Sequence, residues 1–130
     1  YLRGTPGLTG APLRALRHGA DAPAQFVFDR SALGGPAGLA ALVVSASEGT
    51  REAIEAQSLA QAGSQLGWHD AVPVQTIVEK RATFACTPGV RRPPIDVAPG
   101  LSACGDYVEG PYPATLEGAV LSGQAAAAAL

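Results

Sequence analysis

The hydrophobic pattern predicts two strands early in the chain. Phe26 and Phe28 alternate with smaller or polar neighbours between residues 25 and 30, which is the period of a pleated strand. A glycine and proline turn at 34–36 precedes an almost continuous apolar run at 39–47, which is typical of a more buried strand. We expect these two strands to pair, either as a hairpin or as near neighbours.

A helix is predicted after these strands. Thr50 is a good N-cap, residues 51–66 contain no proline, and Gly67 is placed to end the helix. The apolar stripe of this segment is weak because its large apolar side chains do not share one face. The helix is therefore expected to pack against a sheet through its alanines.

The strongest strand signal lies at residues 72–84, which are rich in β-branched side chains. Its centre is charged, and alternation sends Lys80 to one face and Glu79 with Arg81 to the other. This charged centre is typical of an ordinary strand surface. Residues 87–100 hold too much proline for the interior of a sheet, and they are predicted to form a loop.

The last thirty residues read as a strand, a tight turn and a helix. A short apolar run beginning at Leu101 ends on Gly105-Asp106, and a loop rich in proline and glycine follows. Pro113 suits the first helical position because its missing N–H would be unpaired there anyway. The helix is therefore predicted to begin at Pro113.

This arrangement is typical of a ligand site. Gly105 permits a sharp turn, and Asp106 projects from the carboxyl end of a strand. The amides that follow Pro113 are expected to lack internal partners and to form a site for an electron-rich group; they belong to Ala114, Thr115 and Leu116. A carboxylate would repel a phosphate there, so Asp106 is better matched to hydroxyl donors, and the two features together suggest a flavin.

The same residues carry a resemblance to a known family. Gly105-Asp106 followed by Pro-Ala-Thr-Leu-Glu-Gly-Ala-Val-Leu-Ser-Gly at 113–123 resembles the C-terminal FAD-contact motif of the flavin-dependent amine oxidase and phytoene desaturase superfamily. The segments 25–30 (Gln-Phe-Val-Phe-Asp-Arg) and 79–84 (Glu-Lys-Arg-Ala-Thr-Phe) resemble those of squalene-associated FAD-dependent desaturases, the hydroxysqualene dehydroxylases of bacterial hopanoid synthesis. The resemblance spans roughly residues 25 to 125.

The resemblance implies a fold and a division of the chain. The expected class is α+β with α/β-like character, as a fragment of the FAD/NAD(P)-binding amine oxidase fold. The implied segments are a loop-rich entry at 1–24, part of a substrate-side β-sheet at 25–86 with one helix at about 50–66, a loop at 87–100, and the FAD-contacting strand, turn and helix at 101–130.

The resemblance also implies a function. The full-length protein would be an FAD-dependent oxidoreductase acting on a squalene-type isoprenoid, and no residue stands out as a catalytic acid or base. The implied cofactor-binding residues are Gly105, Asp106, Pro113, Ala114, Thr115 and Leu116. In the family that it resembles, the strand at 72–84 leads toward the flavin, which makes Lys80 or Arg81 a candidate to reach the cofactor or substrate edge; the alternative is an ordinary charged strand surface. One alternative is an amine oxidase or a carotenoid or phytoene desaturase of the same superfamily. An alternative from another class is a small non-enzymatic binding or assembly module.

Composition limits the partners. A net charge of -2 and a pI near 5.6 give no basic surface for nucleic acid. No apolar run is long enough to span a membrane, so a cytoplasmic location is expected, with peripheral association with the inner membrane left open. Cys86 and Cys104 are too far apart for a metal or redox pair and are expected to be buried thiols. With 47% hydrophobic but only 5% aromatic residues, the core is expected to be thin and rich in alanine.

Length bounds the activity of this piece. At 130 residues, the chain is too short for a complete flavoenzyme of this family, and it lacks methionine and an opening Gly-x-Gly-x-x-Gly. We expect a C-terminal piece of a longer protein that alone binds negligible FAD and is inactive. A face that packs on the rest of such a protein would be exposed, so homo-oligomers of the isolated chain are expected.

Overall fold

The computed structural model describes residues 1–129, which form a mixed α+β structure. The chain divides into two compact units, Tyr1–Val78 (unit 1) and Glu79–Leu130 (unit 2). The elements in chain order are β1 (Leu2–Arg3), β2 (Leu13–Ala15), β3 (Phe26–Asp29), β4 (Leu39–Val43), α1 (Arg51–Leu66), β5 (Val72–Pro73), β6 (Asp96–Ala98), β7 (Leu101–Ser102) and α2 (Leu116–Ala128).

Unit 1 contains a five-stranded antiparallel sheet in the order β2-β3-β4-β1-β5. The predicted pairing of β3 with β4 is confirmed, with Phe26 opposite Val43 and Phe28 opposite Ala41. Side chains alternate across β3, so Val27 is completely buried whereas its neighbour Phe26 is 42% exposed. The aromatic residues that signal the strand therefore lie on its more open face.

The predicted helix is confirmed at both ends. The Thr50 hydroxyl accepts a hydrogen bond from the Ala53 amide at 3.2 Å, and Gly67 ends α1 in the left-handed conformation at φ 72°. The buried cluster of unit 1 is rich in alanine, as expected, since half of its members are alanine. It comprises Leu2, Leu16, Ala24, Val27, Ala40, Ala62, Trp68 and Ala71.

Glutamines rather than alanines alone fix α1 in unit 1. Gln61 is only 2% exposed, and its side-chain amide accepts from the Ala24 N–H and donates to the Ala24 carbonyl, both at 2.8 Å. Gln65, one turn later, bonds both the N–H and the carbonyl of Arg17 at 3.0 and 2.7 Å. Because residues four apart share a helix face, this stripe is polar, which explains the weak apolar pattern.

Two sequence-based expectations for unit 1 differ from the structure. The predicted strand at 72–84 is wrong beyond Pro73, because only Val72–Pro73 pairs with β1 and the charged centre that follows lies in turns and loops. The Arg81 amide donates to the Glu79 carboxylate at 2.8 Å instead of to a neighbouring strand. The segment 1–24, expected to be loop-rich, contributes β1 and β2 to the sheet.

Unit 2 contains a two-stranded hairpin and one helix. β6 pairs antiparallel with β7 around Pro99 and Gly100, whose φ of 74° favours glycine. The expected loop at 87–100 therefore contains a strand, which the pattern hid because its prolines at 93 and 94 precede the paired residues. The described chain has no helix long and apolar enough to cross a membrane.

Candidate functional site

The turn at Gly105 and Asp106 comes after β7, but the predicted strand is wrong beyond Ser102, so Asp106 does not project directly from the end of a strand. Gly105 has φ 148°, and a Cβ there would lie 2.6 Å from the Tyr107 ring, so only glycine fits. The Val108 amide closes the turn on the Gly105 carbonyl at 3.4 Å, and the Val108 side chain is buried. The turn is therefore held by its own backbone and by one apolar anchor.

The Asp106 side chain is half-buried and has one hydrogen-bond donor among residues 1–129. That donor is the Thr83 hydroxyl, which contacts Oδ2. The Asp106 main-chain carbonyl accepts from the Ala114 amide at 3.1 Å. The carboxylate and the main-chain carbonyl of Asp106 are thus each hydrogen-bonded to another part of unit 2, while Oδ1 can still accept hydrogen bonds.

The helix after the turn begins later than predicted. α2 starts at Leu116, and Thr115 is its N-cap, with an extended backbone at φ -129° and a hydroxyl that accepts from the Gly118 amide at 3.0 Å. Pro113 is not the first helical residue because Ala114, at φ 58°, interrupts the helical path. A left-handed alanine costs about 1–2 kcal/mol, and such strain is found most often near functional sites.

This shift changes which amides are free. The Ala114 amide, expected to point outward, is used by the Asp106 carbonyl. The first-turn amides of Leu116 and Glu117 have no acceptor among residues 1–129. Compared with the predicted set 114–116, the amides available to an electron-rich ligand therefore lose Ala114 and gain Glu117.

The glycines of the motif have different surroundings. A Cβ on Gly118 would lie 2.1 Å from the Tyr112 carbonyl, so Gly118 lets the loop pass directly over the first turn of α2. Around Gly123, by contrast, there is open space. The backbone of α2 is therefore covered by the chain itself at Gly118 and is open at Gly123.

Ser122 joins α2 to the turn. It is 6% exposed, its hydroxyl accepts from the Gly105 amide at 2.9 Å, and it is also within donor distance of the Gly105 carbonyl at 3.1 Å. Arg92 adds a second clamp, since its guanidinium donates to the carbonyls of Val108 and Gly110. Together these contacts preorganise the loop that carries Asp106.

The sequence reasoning missed Thr83, Arg92 and Ser122. Thr83 lies in the 79–84 segment used for the resemblance, but a strand prediction gives no reason to aim its hydroxyl at Asp106. Arg92 was visible only as part of an isolated basic pair. The one signal for Ser122 is its spacing: it lies seven residues after Thr115, two turns along the same face of the helix, where a small side chain can be buried.

Other candidate residues lie elsewhere. Lys80 and Arg81 are exposed, and no hydrogen bond among the described residues links their side chains to the Asp106 turn. The prediction of buried thiols is wrong, because Cys86 and Cys104 are both exposed in the loops of unit 2. Within residues 1–129, no three His, Cys, Asp or Glu side chains form a group that could hold a metal ion.

A surface depression in unit 2 does not coincide with the turn. A shallow depression of about 450 Å³ lies against the β6–β7 hairpin and includes Asp96, Ser102 and Ala129. None of the predicted cofactor-binding residues lines it. The candidate site is therefore a preorganised turn and helix end rather than an enclosed pocket within this chain.

Comparisons with known proteins give no relative for this chain. No family model, no curated protein and no solved structure matches it.

Proposed function

We propose that this chain is the C-terminal part of an FAD-dependent oxidoreductase that acts on a squalene-type isoprenoid. The observation that carries the proposal is the preorganised turn at Asp106, whose carboxylate keeps Oδ1 available and whose main-chain carbonyl is bonded to the Ala114 amide just before the capped start of α2. The resemblance of residues 105–123 to a flavin-contact motif supplies the identity of the ligand.

The residues of the turn suit a flavin. A carboxylate accepts hydrogen bonds from ribityl hydroxyls, and the Leu116 and Glu117 amides, with the helix dipole behind them, favour negative charge at a flavin carbonyl edge. When bound, the flavin would carry the hydride of the reaction, which a dehydroxylation of the substrate needs from the reduced flavin and a desaturation delivers to the oxidised flavin. The chain's own contribution is binding and electrostatic stabilisation, and a helix end contributes up to ~2 kcal/mol per charge in partly buried geometry.

The first test is the absorption spectrum of the purified gene product that carries this chain. We expect the bands of an oxidised flavin in the parent and at least about tenfold weaker flavin binding in Asp106→Ala, because hydrogen bonds to charged groups contribute about 1.5–3 kcal/mol. The matched control is Asp96→Ala, which removes an exposed carboxylate of the same unit and should leave flavin binding unchanged. A colourless parent that takes up no added FAD would exclude the flavoenzyme.

The branch of the family is tested with substrates. Anaerobic reoxidation of the chemically reduced flavin by a squalene-type alcohol, with no reduction of the oxidised flavin by an amine or by phytoene, would favour the squalene-associated branch. Reduction by an amine or by phytoene would assign the chain to the alternative branches of the same superfamily.

A second function is favoured by one observation, the exposed apolar side chains of unit 2. Leu116 is 87% exposed, and Leu101 and Val120 are each 57% exposed. A binding or assembly module presents such a surface to a partner protein. This alternative predicts a colourless gene product that forms oligomers, whereas the flavoenzyme proposal predicts oligomers only for the isolated residues 1–130. Light scattering on both proteins distinguishes the two.

A further inference from the structure

The Asp106 carboxylate is held by a residue far from it in sequence. Thr83 lies 23 residues upstream, and its hydroxyl is hydrogen-bonded to Asp106 Oδ2. Thr83 itself is exposed, so burial does not explain its position. The contact therefore requires a reason beyond packing.

Backbone contacts do not fix the carboxylate. The Ala114 amide holds the Asp106 carbonyl, and the Val108 amide holds the Gly105 carbonyl. These bonds define the path of the main chain, but neither of them reaches the carboxylate, whose terminal torsion is intrinsically broad. The Thr83 hydroxyl is the contact that selects one carboxylate orientation.

Threonine suits this task. Its β-branched side chain restricts the first torsion, so its hydroxyl is a stiff donor. It donates one hydrogen bond, while an ionised carboxylate offers about four acceptor positions over its two oxygens. Oδ1 and the remaining lone pair of Oδ2 stay available to the hydroxyls of a ligand.

We infer that Thr83 is a positioning residue, which holds the Asp106 carboxylate in the orientation that accepts the ribityl hydroxyls of a flavin. The inference rests on the proposed function. It assigns to Thr83 an effect on flavin affinity that acts through Asp106 and needs no contact between Thr83 and the flavin.

The test compares flavin dissociation constants of the gene product carrying this chain. Thr83→Val keeps the shape but removes the donor, and we expect up to about tenfold weaker binding, because the flavin must then order the freed Asp106 side chain when it binds. Thr83→Ser restores the donor and should bind within about threefold of the parent. Thr87→Val is the matched control, because Thr87 is exposed in the same unit and its hydroxyl has no partner among the described residues.

A measurement without flavin separates the two proposals. In residues 1–130, the side-chain carbonyl ¹³C resonance of Asp106 should shift in Thr83→Val and not in Thr87→Val. An unshifted resonance, or unchanged flavin affinity in Thr83→Val while Asp106→Ala binds weakly, would overturn the role of Thr83. If the parent binds no flavin while Thr83→Val still shifts the Asp106 resonance, the proposed function is refuted. The role of Thr83 in flavin binding is then refuted with it, although the Thr83–Asp106 hydrogen bond itself is verified.

Discussion

Residues 1–78 bury nine apolar side chains, whereas residues 79–129 bury one, Val108. Unit 1 exposes nine large apolar side chains, as many as the apolar side chains that it buries. Unit 2 exposes eight large apolar side chains for the one that it buries. The two parts of the chain are therefore stabilised differently. Packing holds unit 1, and hydrogen bonds with turn geometry hold unit 2.

The contacts within unit 2 illustrate this difference. Arg92 clamps two carbonyls of the 105–114 loop, Ser122 bonds the Gly105 amide, and Thr115 caps α2. Each such bond contributes only about 0.5–1.5 kcal/mol net, and little apolar burial adds to them. Because unit 2 buries so little apolar surface, we expect it to gain stability when a ligand or a partner binds to it.

The largest expected effect tests the packing of unit 1. Trp68 is 4% exposed, and Trp68→Ala should lower the free energy of unfolding by about 3–5 kcal/mol, the loss of a buried aromatic side chain plus a cavity. In unit 2, Leu116→Ala should change it by less than about 0.5 kcal/mol, since Leu116 is 87% exposed. Urea unfolding followed by far-ultraviolet circular dichroism measures both. Equal effects would abolish the distinction between the units.

A smaller effect is expected from the buried glutamine. Gln61→Ala would leave the Ala24 N–H and carbonyl without partners in a buried place, at a cost of about 2–3 kcal/mol. Gln57→Ala is the control on the same helix, because Gln57 makes a single long bond of 3.5 Å to the Ala20 carbonyl. We expect it to cost less than about 0.5 kcal/mol. Similar losses in both variants would mean that Gln61 does not anchor the 17–24 segment.

Local signals predicted the elements that depend on neighbouring residues. α1 was predicted to its caps because Thr50 and Gly67 act on adjacent backbone groups. β3 and β4 were predicted because alternation and continuous apolar runs reflect sheet burial directly. The same local reasoning predicted the Gly105 turn, where a Cβ would meet the Tyr107 ring.

The rest depended on contacts that are distant in sequence. β1 is two residues long and exists because β4 and β5 lie on either side of it, which no short pattern reveals. The predicted start of α2 is wrong because it rests on the general preference for proline at the first helical position. That preference gives no sign of the left-handed Ala114, whose amide is bonded to the Asp106 carbonyl. The Thr83–Asp106 contact likewise joins residues that share no local signal.

A pH effect on stability is expected from Asp29 in unit 1. Asp29 is buried, and its carboxylate accepts from the Ser31 hydroxyl, the Leu8 amide and two further amides. The Ser31 hydroxyl first and the Leu8 amide second lower the pKa of Asp29 from its usual value. A lowered folded-state pKa means stability that is present above the unfolded pKa of about 3.9 and is lost as pH falls through the folded pKa.

Asp29→Asn tests this linkage. The variant should be less stable than the parent at neutral pH, and the difference should narrow as the solution is acidified below about pH 4. Trp68 is the single tryptophan and lies in unit 1, so its fluorescence follows the relevant unfolding. Asp21→Asn, at an exposed carboxylate, should give a difference near zero at every pH. A gap between parent and Asp29→Asn that stays constant with pH would contradict the linkage.

The smallest expected effect compares two glycines of α2. Gly123→Ala places a methyl group in open space within the helix and should stabilise α2 by about 0.5–1 kcal/mol. Gly118→Ala has the opposite sign, because its Cβ would lie 2.1 Å from the Tyr112 carbonyl and the loop over the helix start would have to move. Hydrogen exchange of the α2 amides measures both locally. If both variants slow exchange, the loop does not hold the start of α2, and unit 2 is organised by helix propensity alone.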